Sequence, residues 1–439
     1  MDKLIIQGGN PLKGVVRLGG AKNSSYKLMI AALLCPHETR LLNFSRIADV
    51  NLVKDIINAL GAKAYSAGER TMFVNAKTIT SSTVPQKLGS ASRASSMFIA
   101  PLLARTKKAI VPLPGGDKIG KRPLSRHFDG LKALGAKIEY KNGVIVATCK
   151  QLIGNTYKFP KNSHTGTETL IMAAVLAKGT TTIHNAAQEP EVDDLISMLN
   201  AMGAKITRKQ GRTIEIIGVK KLKPVIHQVM PDRNEAVSYA IAALVTKGDI
   251  VLENAKPEHL TAFLEKLKKI GAGYEVNGFG IRFFYKKPLK AVNIITQPHP
   301  GFMTDWQPLW AVLATQSQGT SNIIETVFTS RFQYVKDLQR MGADIDFYNS
   351  KPKNPNKFYN FDLKDDHPEN MHAIKVKGIT PLKGVNIKVT DIRAGATLAL
   401  AALTASGTSE LTGLSHIDRG YENFSSRLLQ LGAKIKRIK

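Results

Sequence analysis

Leu60-Gly61-Ala62-Lys63, Leu134-Gly135-Ala136-Lys137 and Met202-Gly203-Ala204-Lys205 are three copies of one short stretch. It returns as Ile270-Gly271-Ala272-Gly273, Met341-Gly342-Ala343-Asp344 and Leu431-Gly432-Ala433-Lys434. Each copy closes an amphipathic run and opens an alternating one such as Lys137-Ile138-Glu139-Tyr140. Gly just past a periodic segment ends a helix, because it takes the left-handed conformation without a Cβ clash. Alternation marks a strand with one buried face. The recurring element is therefore helix, Gly turn, strand.

A second marker precedes each copy. An apolar, alanine-rich run ends in a small or polar turn and leads into a strand, as in Ala173-Ala174-Val175-Leu176-Ala177-Lys178-Gly179-Thr180 and Ala401-Ala402-Leu403-Thr404-Ala405-Ser406-Gly407-Thr408. One unit thus reads helix, strand, loop, helix, Gly-Ala, strand, with a period of roughly 70 residues, longer than common solenoid repeats. A unit of that length forms a small α/β layer. Six such units follow one another, the first from about Lys22 with its second helix near Leu52 to Leu60, the others near 92–146, 167–217, 234–284, 305–348 and 393–439. The expected fold class is α/β, with two domains of three repeated helix-strand-helix-strand units each.

The boundary is placed at Met230-Pro231-Asp232, where a strand ends before the fourth unit. The first two strands, up to about Gly19, resemble the approaches to units five and six at Pro288-Leu289-Lys290 and Pro381-Leu382-Lys383. Domain I is expected over 22–231, including a mobile loop at 112–123, and domain II over 1–21 plus 232–439. Residues 349–371, with two prolines and the run Asp365-Asp366-His367-Pro368, read as a loop insertion.

The 439 residues exceed one ordinary core, and 43% hydrophobic with 22% charged residues suits a soluble globular chain. The apolar run Leu28–Cys35 is far below the ~20 residues that span a bilayer. Two cysteines, Cys35 and Cys149, in apolar contexts point to a reducing compartment and no metal framework. A cytoplasmic location is expected. The net charge of +28 admits a polyanionic partner, but it is spread along the chain without an arginine-rich arm or basic–aromatic interleaving, so no nucleic acid and no membrane is expected. Steering of small anionic substrates uses the same charge.

The unusual charged motifs fall at strand-to-helix junctions. One kind of junction holds Gly20-Ala21-Lys22-Asn23, Ser92-Arg93-Ala94, Ser163-His164-Thr165-Gly166-Thr167-Glu168, Pro231-Asp232-Arg233, Met303-Thr304-Asp305 and Thr390-Asp391-Ile392-Arg393. The other holds Pro114-Gly115-Gly116-Asp117-Lys118-Ile119-Gly120-Lys121-Arg122-Pro123, Gln188-Glu189-Pro190-Glu191, Val327-Phe328-Thr329-Ser330-Arg331 and His416-Ile417-Asp418-Arg419-Gly420-Tyr421. Helix N-termini attract anions, and guanidinium groups bind phosphate or carboxylate through two parallel bonds. No Walker A loop and no dinucleotide Gly-rich fingerprint is present in the sequence, which argues against ordinary ATP and NAD sites. No cofactor and no metal is expected.

In this order and combination the motifs resemble the UDP-N-acetylglucosamine 1-carboxyvinyltransferases of the enolpyruvyl transferase family, over nearly the whole chain. The resemblance implies a six-unit inside-out α/β barrel in two closing domains. It also implies a reaction: the 3′-hydroxyl of UDP-N-acetylglucosamine adds to C2 of phosphoenolpyruvate, and phosphate then leaves. On that resemblance Lys22, Asn23, Arg122, Arg393 and Arg419 would bind phosphoenolpyruvate. Arg93, Arg122, Pro123, Leu124, Ser125, Arg126, Asn162, Ser163, His164, Thr165, Asp305 and Val327 would hold the sugar nucleotide. Asp117, Asp305, Lys22 and Arg419 would be catalytic, Asp305 as general base. Glu189, Asp232 and Arg233 read as hinge or domain-contact residues, His299 and His416 as structural, and Asp49 as a helix cap.

Three departures stand out: the insertion, Thr169, and Asp117 where many relatives carry the cysteine that fosfomycin alkylates. A carboxylic acid can still donate a proton if burial raises its pKa. Two other readings stay open, a shikimate 3-phosphate enolpyruvyl transferase and a nucleic-acid-binding or RNA-end-processing protein of related fold.

Overall fold

The computed structural model describes residues 2–116 and 119–438. It divides into two compact units, Met1–Gly19 with Asp117–Arg122 and Pro231–Lys439, and Gly20–Gly116 with Pro123–Met230. Each unit contains three small sheets.

All six Gly-Ala turns have their glycine at positive φ, between +84° at Gly271 and +98° at Gly342. Non-glycine residues pay for that region, so the glycine is what lets the chain leave the helix and turn at once into the strand. The helices before the turns are one-sided: Ala48–Ala59 buries Asp49, Val50, Val53, Ile56 and Ile57 on one stripe. The alanine-rich helices behave differently. Arg233–Val245 buries all of its residues, Ile392–Thr404 all but its last, and Lys22–Ala32 all but Asn23. A helix apolar all round has no solvent face to present and becomes the centre of a core. In the first unit the helices Arg233–Val245, Gln307–Thr315 and Ile392–Thr404 pack on one another. In the second, Lys22–Ala32, Ile99–Thr106 and His164–Ala174 hold the corresponding places.

The sheets share one plan. The strand after a core helix pairs with a parallel edge strand on one side. On the other it pairs antiparallel with a returning strand, which pairs in turn with the strand after the Gly-Ala turn. In the second unit this gives Ile226–Gln228, Glu38–Leu42, Thr71–Asn75 and Lys63–Ala67 in spatial order. The returning strands are absent from the sequence-based unit, which counts one strand after each Gly-Ala turn. Their signal is local: Asn142 and Gly143, between the strands Lys137–Lys141 and Val144–Thr148, both have positive φ, as a tight hairpin turn demands. The sheet of that hairpin has three strands, and a parallel bridge from Thr83 to Ile110 marks the place of the fourth.

The N-terminal strands complete sheets of the first unit. Lys3–Gln7 lies between Thr408–Thr412 and Lys434–Ile438, antiparallel to both, in the place of the returning strand. Lys13–Arg17 forms the parallel edge beside Asp249–Glu253. Of the loop expected within 22–231, residues 119–122 group with the first unit. Two contacts there account for it: the Ser330 N–H donates to the Ile119 carbonyl at 3.3 Å, and Lys121 pairs with Asp365 at 2.8 Å. Asp365 lies in the insertion, which is folded onto its unit. Tyr359 and Phe361 are buried with ring centroids 4.7 Å apart, and the Asn360 N–H donates to the Thr326 carbonyl at 2.7 Å.

Candidate active site

In the first unit the N-terminal ends of the three core helices meet. Trp306 Nε1 donates to Asn234 Oδ1 at 2.9 Å, and Arg393 Nε donates to Asp305 Oδ1 at 3.1 Å. Asp232 and Asp391 cap two of the helices, Asp232 accepting from the Asn234 and Glu235 N–H groups and Asp391 from those of Arg393 and Ala394. A carboxylate at this end satisfies orphan donors and complements the helix dipole.

Asp305 lies inside the helical turn Thr304–Trp306, whose cap is Met303, so the aspartate is a turn residue and not the cap. Two guanidinium groups converge on its Oδ1, Arg393 and, at 3.2 Å, Arg331. Arg331 is buried and also stands 4.0 Å from Asp391. It was absent from the expected site, although it closes the motif Val327-Phe328-Thr329-Ser330-Arg331. Glu325 shapes the same segment: its carboxylate accepts from the N–H groups of Val327 and Phe328 at 2.7 and 3.0 Å and from the Thr304 hydroxyl at 2.9 Å. Burial pushes the Glu325 pKa up in spite of these donors.

Arg393 is buried and makes a second bond, Nη1 to the Tyr421 hydroxyl at 3.1 Å. Tyr421 is 2.8 Å from Ser238 Oγ, and Ser238 Oγ donates to the Asn234 carbonyl at 2.9 Å. The serine has one proton, and the carbonyl takes it, so Tyr421 must donate to Ser238 and accept from Arg393. Burial alone would favour an uncharged Arg393, but Tyr421 and the carboxylates of Asp305 and Asp232 outweigh it and hold the guanidinium charged. Arg419 is half-buried at the end of the one-turn helix Ser415–Asp418. Close approach fixes that turn: a Cβ on Gly395 would come within 2.7 Å of Ile417, and one on Gly420 within 2.6 Å of Ile392. Arg233 Nη1 meets His299 Nδ1 at 3.2 Å, so both serve the packing of this unit. Val327 is half-buried.

In the second unit Lys22 begins a core helix and is buried. Its ammonium lies 2.8 Å from Asp49, and Asn23 beside it is half-buried. Asp49 is therefore the ion-pair partner of Lys22, and the residue preceding its helix is Ile47, which makes no side-chain cap. Ser163 caps the helix His164–Ala174 through the Gly166 N–H. Arg126 Nη1 donates to the Asn162 carbonyl at 3.3 Å, and His127 Nε2 lies 2.9 Å from the Thr165 hydroxyl. Burial, then the charges of Arg93 and Arg126, push His127 down to about 3. Arg93, Arg126 and Asn162–Thr165 thus gather at one place. Leu124 is buried, Ser125 exposed and Pro123 half-buried; Arg122, which groups with the first unit, is half-buried.

Two further residues belong to this place. Lys27 and Glu168, exposed by 1% and 0%, form an ion pair at 2.6 Å, and His164 Nε2 stands 3.0 Å from Lys27 Nζ and 3.3 Å from Glu168 Oε1. Burial, the largest influence, and the Lys27 charge pull the His164 pKa down, but the charge and hydrogen bond of Glu168 and the charge of Glu189 together outweigh them, and the net shift is upward. Glu189, which precedes the helix Pro190–Ala201, is buried and adds to the upward pull. Asp117 lies outside the described residues. Among the described residues no group of three or more His, Cys, Asp or Glu side chains is placed to hold a metal ion. No helix among them is long and apolar enough to cross a membrane.

A family model for EPSP synthase (3-phosphoshikimate 1-carboxyvinyltransferase) matches residues 6–428. The chain is 40% identical over its whole length to the UDP-N-acetylglucosamine 1-carboxyvinyltransferase of Desulfosudis oleivorans, covering 100% of that protein. It is likewise 40% identical to UDP-N-acetylglucosamine 1-carboxyvinyltransferase 1 of Carboxydothermus hydrogenoformans, covering 99% of it. Its fold is that of the enolpyruvyl transferase NikO from Streptomyces tendae, with a TM-score of 0.85, 24% identity and coverage of 100% of this chain and 99% of that one. EPSP synthase from Acinetobacter baumannii superposes with a TM-score of 0.74 at 20% identity, with 100% of both chains covered. With the repeated sheets, the buried helices and the full-length likeness together, the chain belongs to the EPSP synthase family of enolpyruvyl transferases.

Proposed function

We infer that this protein transfers the enolpyruvyl group of phosphoenolpyruvate to the 3′-hydroxyl of UDP-N-acetylglucosamine, releasing phosphate, as the first committed step of peptidoglycan precursor synthesis. The observation that carries this reading is the 40% identity, over all of both chains, to a protein named for that reaction. The chemistry of the two units is in accord with it.

The reaction runs in two steps. The sugar 3′-oxygen bonds to C2 of phosphoenolpyruvate while its proton is taken up by a base and a proton reaches C3. The tetrahedral adduct then loses a proton from C3 and the phosphate from C2, restoring the double bond. The substrates bring phosphate and carboxylate charge, so the work asked of the protein is charge stabilisation and three proton transfers.

In the first unit, Asp305 is assigned as the base at the 3′-hydroxyl. Arg331 and Arg393 fix its position through bonds to Oδ1. Arg393 and Arg419 are assigned to anionic groups of phosphoenolpyruvate, with Arg122, and Val327 to a backbone contact with the sugar nucleotide. In the second unit, Lys22 and Asn23 open a helix whose first turn contains no acidic residue, a place suited to an anion. Lys22 meets the phosphate of phosphoenolpyruvate there, exchanging Asp49 for it. Arg93, Pro123–Arg126 and Asn162–Thr165 take the sugar nucleotide. Asp117 is assigned as the acid at C3. Phosphoenolpyruvate and UDP-N-acetylglucosamine are the partners, and the reaction requires no cofactor.

Release of inorganic phosphate from phosphoenolpyruvate, with UDP-N-acetylglucosamine or shikimate 3-phosphate as acceptor, tests this. Turnover with the sugar nucleotide alone is expected. Turnover with shikimate 3-phosphate alone would replace the reading with that of the sister enzyme.

A further inference from the structure

The ion pair of Lys27 and Glu168 lies in the second turns of two core helices, and nothing in the reaction uses it directly. Burying two charges costs several kcal/mol before their attraction is counted, and well-packed apolar residues often do as well. A buried pair at a candidate binding site therefore calls for a reason other than stability. The reason lies in its third member. His164 is the first residue of its helix, retains 22% side-chain exposure, and directs Nε2 at the pair.

The proton positions follow. When His164 is neutral, Nε2 accepts from the Lys27 ammonium, which has no lone pair, and the ring proton must sit on Nδ1. When His164 is charged, Nε2–H donates to Glu168 and Nδ1 again carries a proton. The charged groups around the ring are Lys27 from the helix Lys22–Ala32, Glu168 from its own helix and Glu189 from the junction before Pro190–Ala201. His127, on the helix Ser125–Ala133, engages the adjacent Thr165. In either charge state, then, the ring offers a fixed N–H donor beside a helix N-terminus.

We propose that Lys27 and Glu168 are positioning residues that lock His164 as an Nδ1–H donor to the sugar nucleotide, making His164 a specificity-determining residue for an acceptor rich in phosphate and carbonyl oxygens. This rests on the assignment of residues 162–165 to the sugar nucleotide. Asparagine places its amide N–H near the position of Nδ1, glutamine near that of Nε2, and alanine places none. His164→Asn should therefore keep the KM for UDP-N-acetylglucosamine within roughly threefold, whereas His164→Ala and His164→Gln should raise it about tenfold, the value of one charge-assisted hydrogen bond. The KM for phosphoenolpyruvate should stay unchanged in all three.

The double variant Lys27→Met, Glu168→Leu replaces the pair by apolar side chains of similar size, a change a core tolerates. It should raise the sugar-nucleotide KM by a similar factor without altering that for phosphoenolpyruvate. Long-range 15N–1H NMR of the ligand-free wild type, with His164 assigned by its loss in His164→Asn, should show the proton on Nδ1 across neutral pH. In the double variant the ring should revert to the Nε2–H form. A wild-type ring with no proton on Nδ1, or His164→Gln matching wild type while His164→Asn does not, overturns the proposal. Absence of wild-type phosphate release with UDP-N-acetylglucosamine overturns the assigned function instead, and the NMR result then judges the positioning alone.

Discussion

Tyr421→Phe removes one oxygen from the middle of a directed chain. Arg393 Nη1 donates to Tyr421, Tyr421 donates to Ser238, and Ser238 donates to the Asn234 carbonyl. The ring is 1% exposed and is held by Phe424 at a centroid separation of 5.1 Å, so phenylalanine fills the same space and water does not replace the hydroxyl. What is lost is one acceptor for a buried guanidinium and one donor to a serine that keeps its carbonyl bond. Leaving a buried polar group short of a partner costs about 1–3 kcal/mol, and the charged donor places this case near 2. For a unit of this size that corresponds to a fall of roughly 4–8 °C in its unfolding temperature. The activity effect has a separate cause. With one edge of its guanidinium released, Arg393 no longer holds its orientation toward Asp305, and about 1.4 kcal/mol of lost anion binding is a tenfold rise in the KM for phosphoenolpyruvate. Calorimetry and phosphate-release kinetics read the two effects separately. Adding Ser238→Ala to Tyr421→Phe should cost less than the sum of the single changes, because they share a bond. An unfolding temperature within about 1 °C of wild type, together with an unchanged KM, would refute the chain as drawn.

Three further outcomes follow from other parts of the molecule. His127 has a folded-state pKa of about 3, against roughly 6.5 when unfolded. The unfolded chain binds the extra proton between those values, so its stability contribution is full above pH 6.5 and is lost as pH falls. The slope is about 1.4 kcal/mol per pH unit, or roughly 2 kcal/mol by pH 5, and denaturant titrations of His127→Gln should lack that slope. Gly120 has φ +102°, and a Cβ there would lie 2.1 Å from Thr329 Oγ1. Gly120→Ala should thus unseat the segment beside Ser330, giving about tenfold faster proteolysis of the loop 112–123 and a lower kcat, with the unfolding temperature nearly unchanged. The side chain at position 117 is a carboxyl, a weaker nucleophile toward an epoxide than a thiolate. Fosfomycin should cause no time-dependent inactivation of the wild type, and Asp117→Cys should acquire it.

Much of this protein was legible without coordinates. The six Gly-Ala turns announce where each helix stops and a strand begins, because that requirement is local: only glycine takes the left-handed angle there without cost. The alanine-rich runs announce buried helices for the same kind of reason, since they offer no polar face. The polar residues at 163, 232 and 391 announce helix starts, because orphan N–H groups are a property of every helix end and these side chains accept from them.

Pairing was decided elsewhere. Nothing in Lys3–Gln7 says that it lies between Thr408–Thr412 and Lys434–Ile438, since any alternating strand fits any open edge and only chain closure over some 400 residues selects one. Asp49 looks like a cap in sequence and is the counter-ion of Lys22 in space. Lys27 and Glu168, 141 positions apart, become partners only because two core helices bring them to 2.6 Å. Backbone conformation answers to neighbours along the chain and can be read there. The partner of a buried charge is set by packing, which sequence distance does not encode.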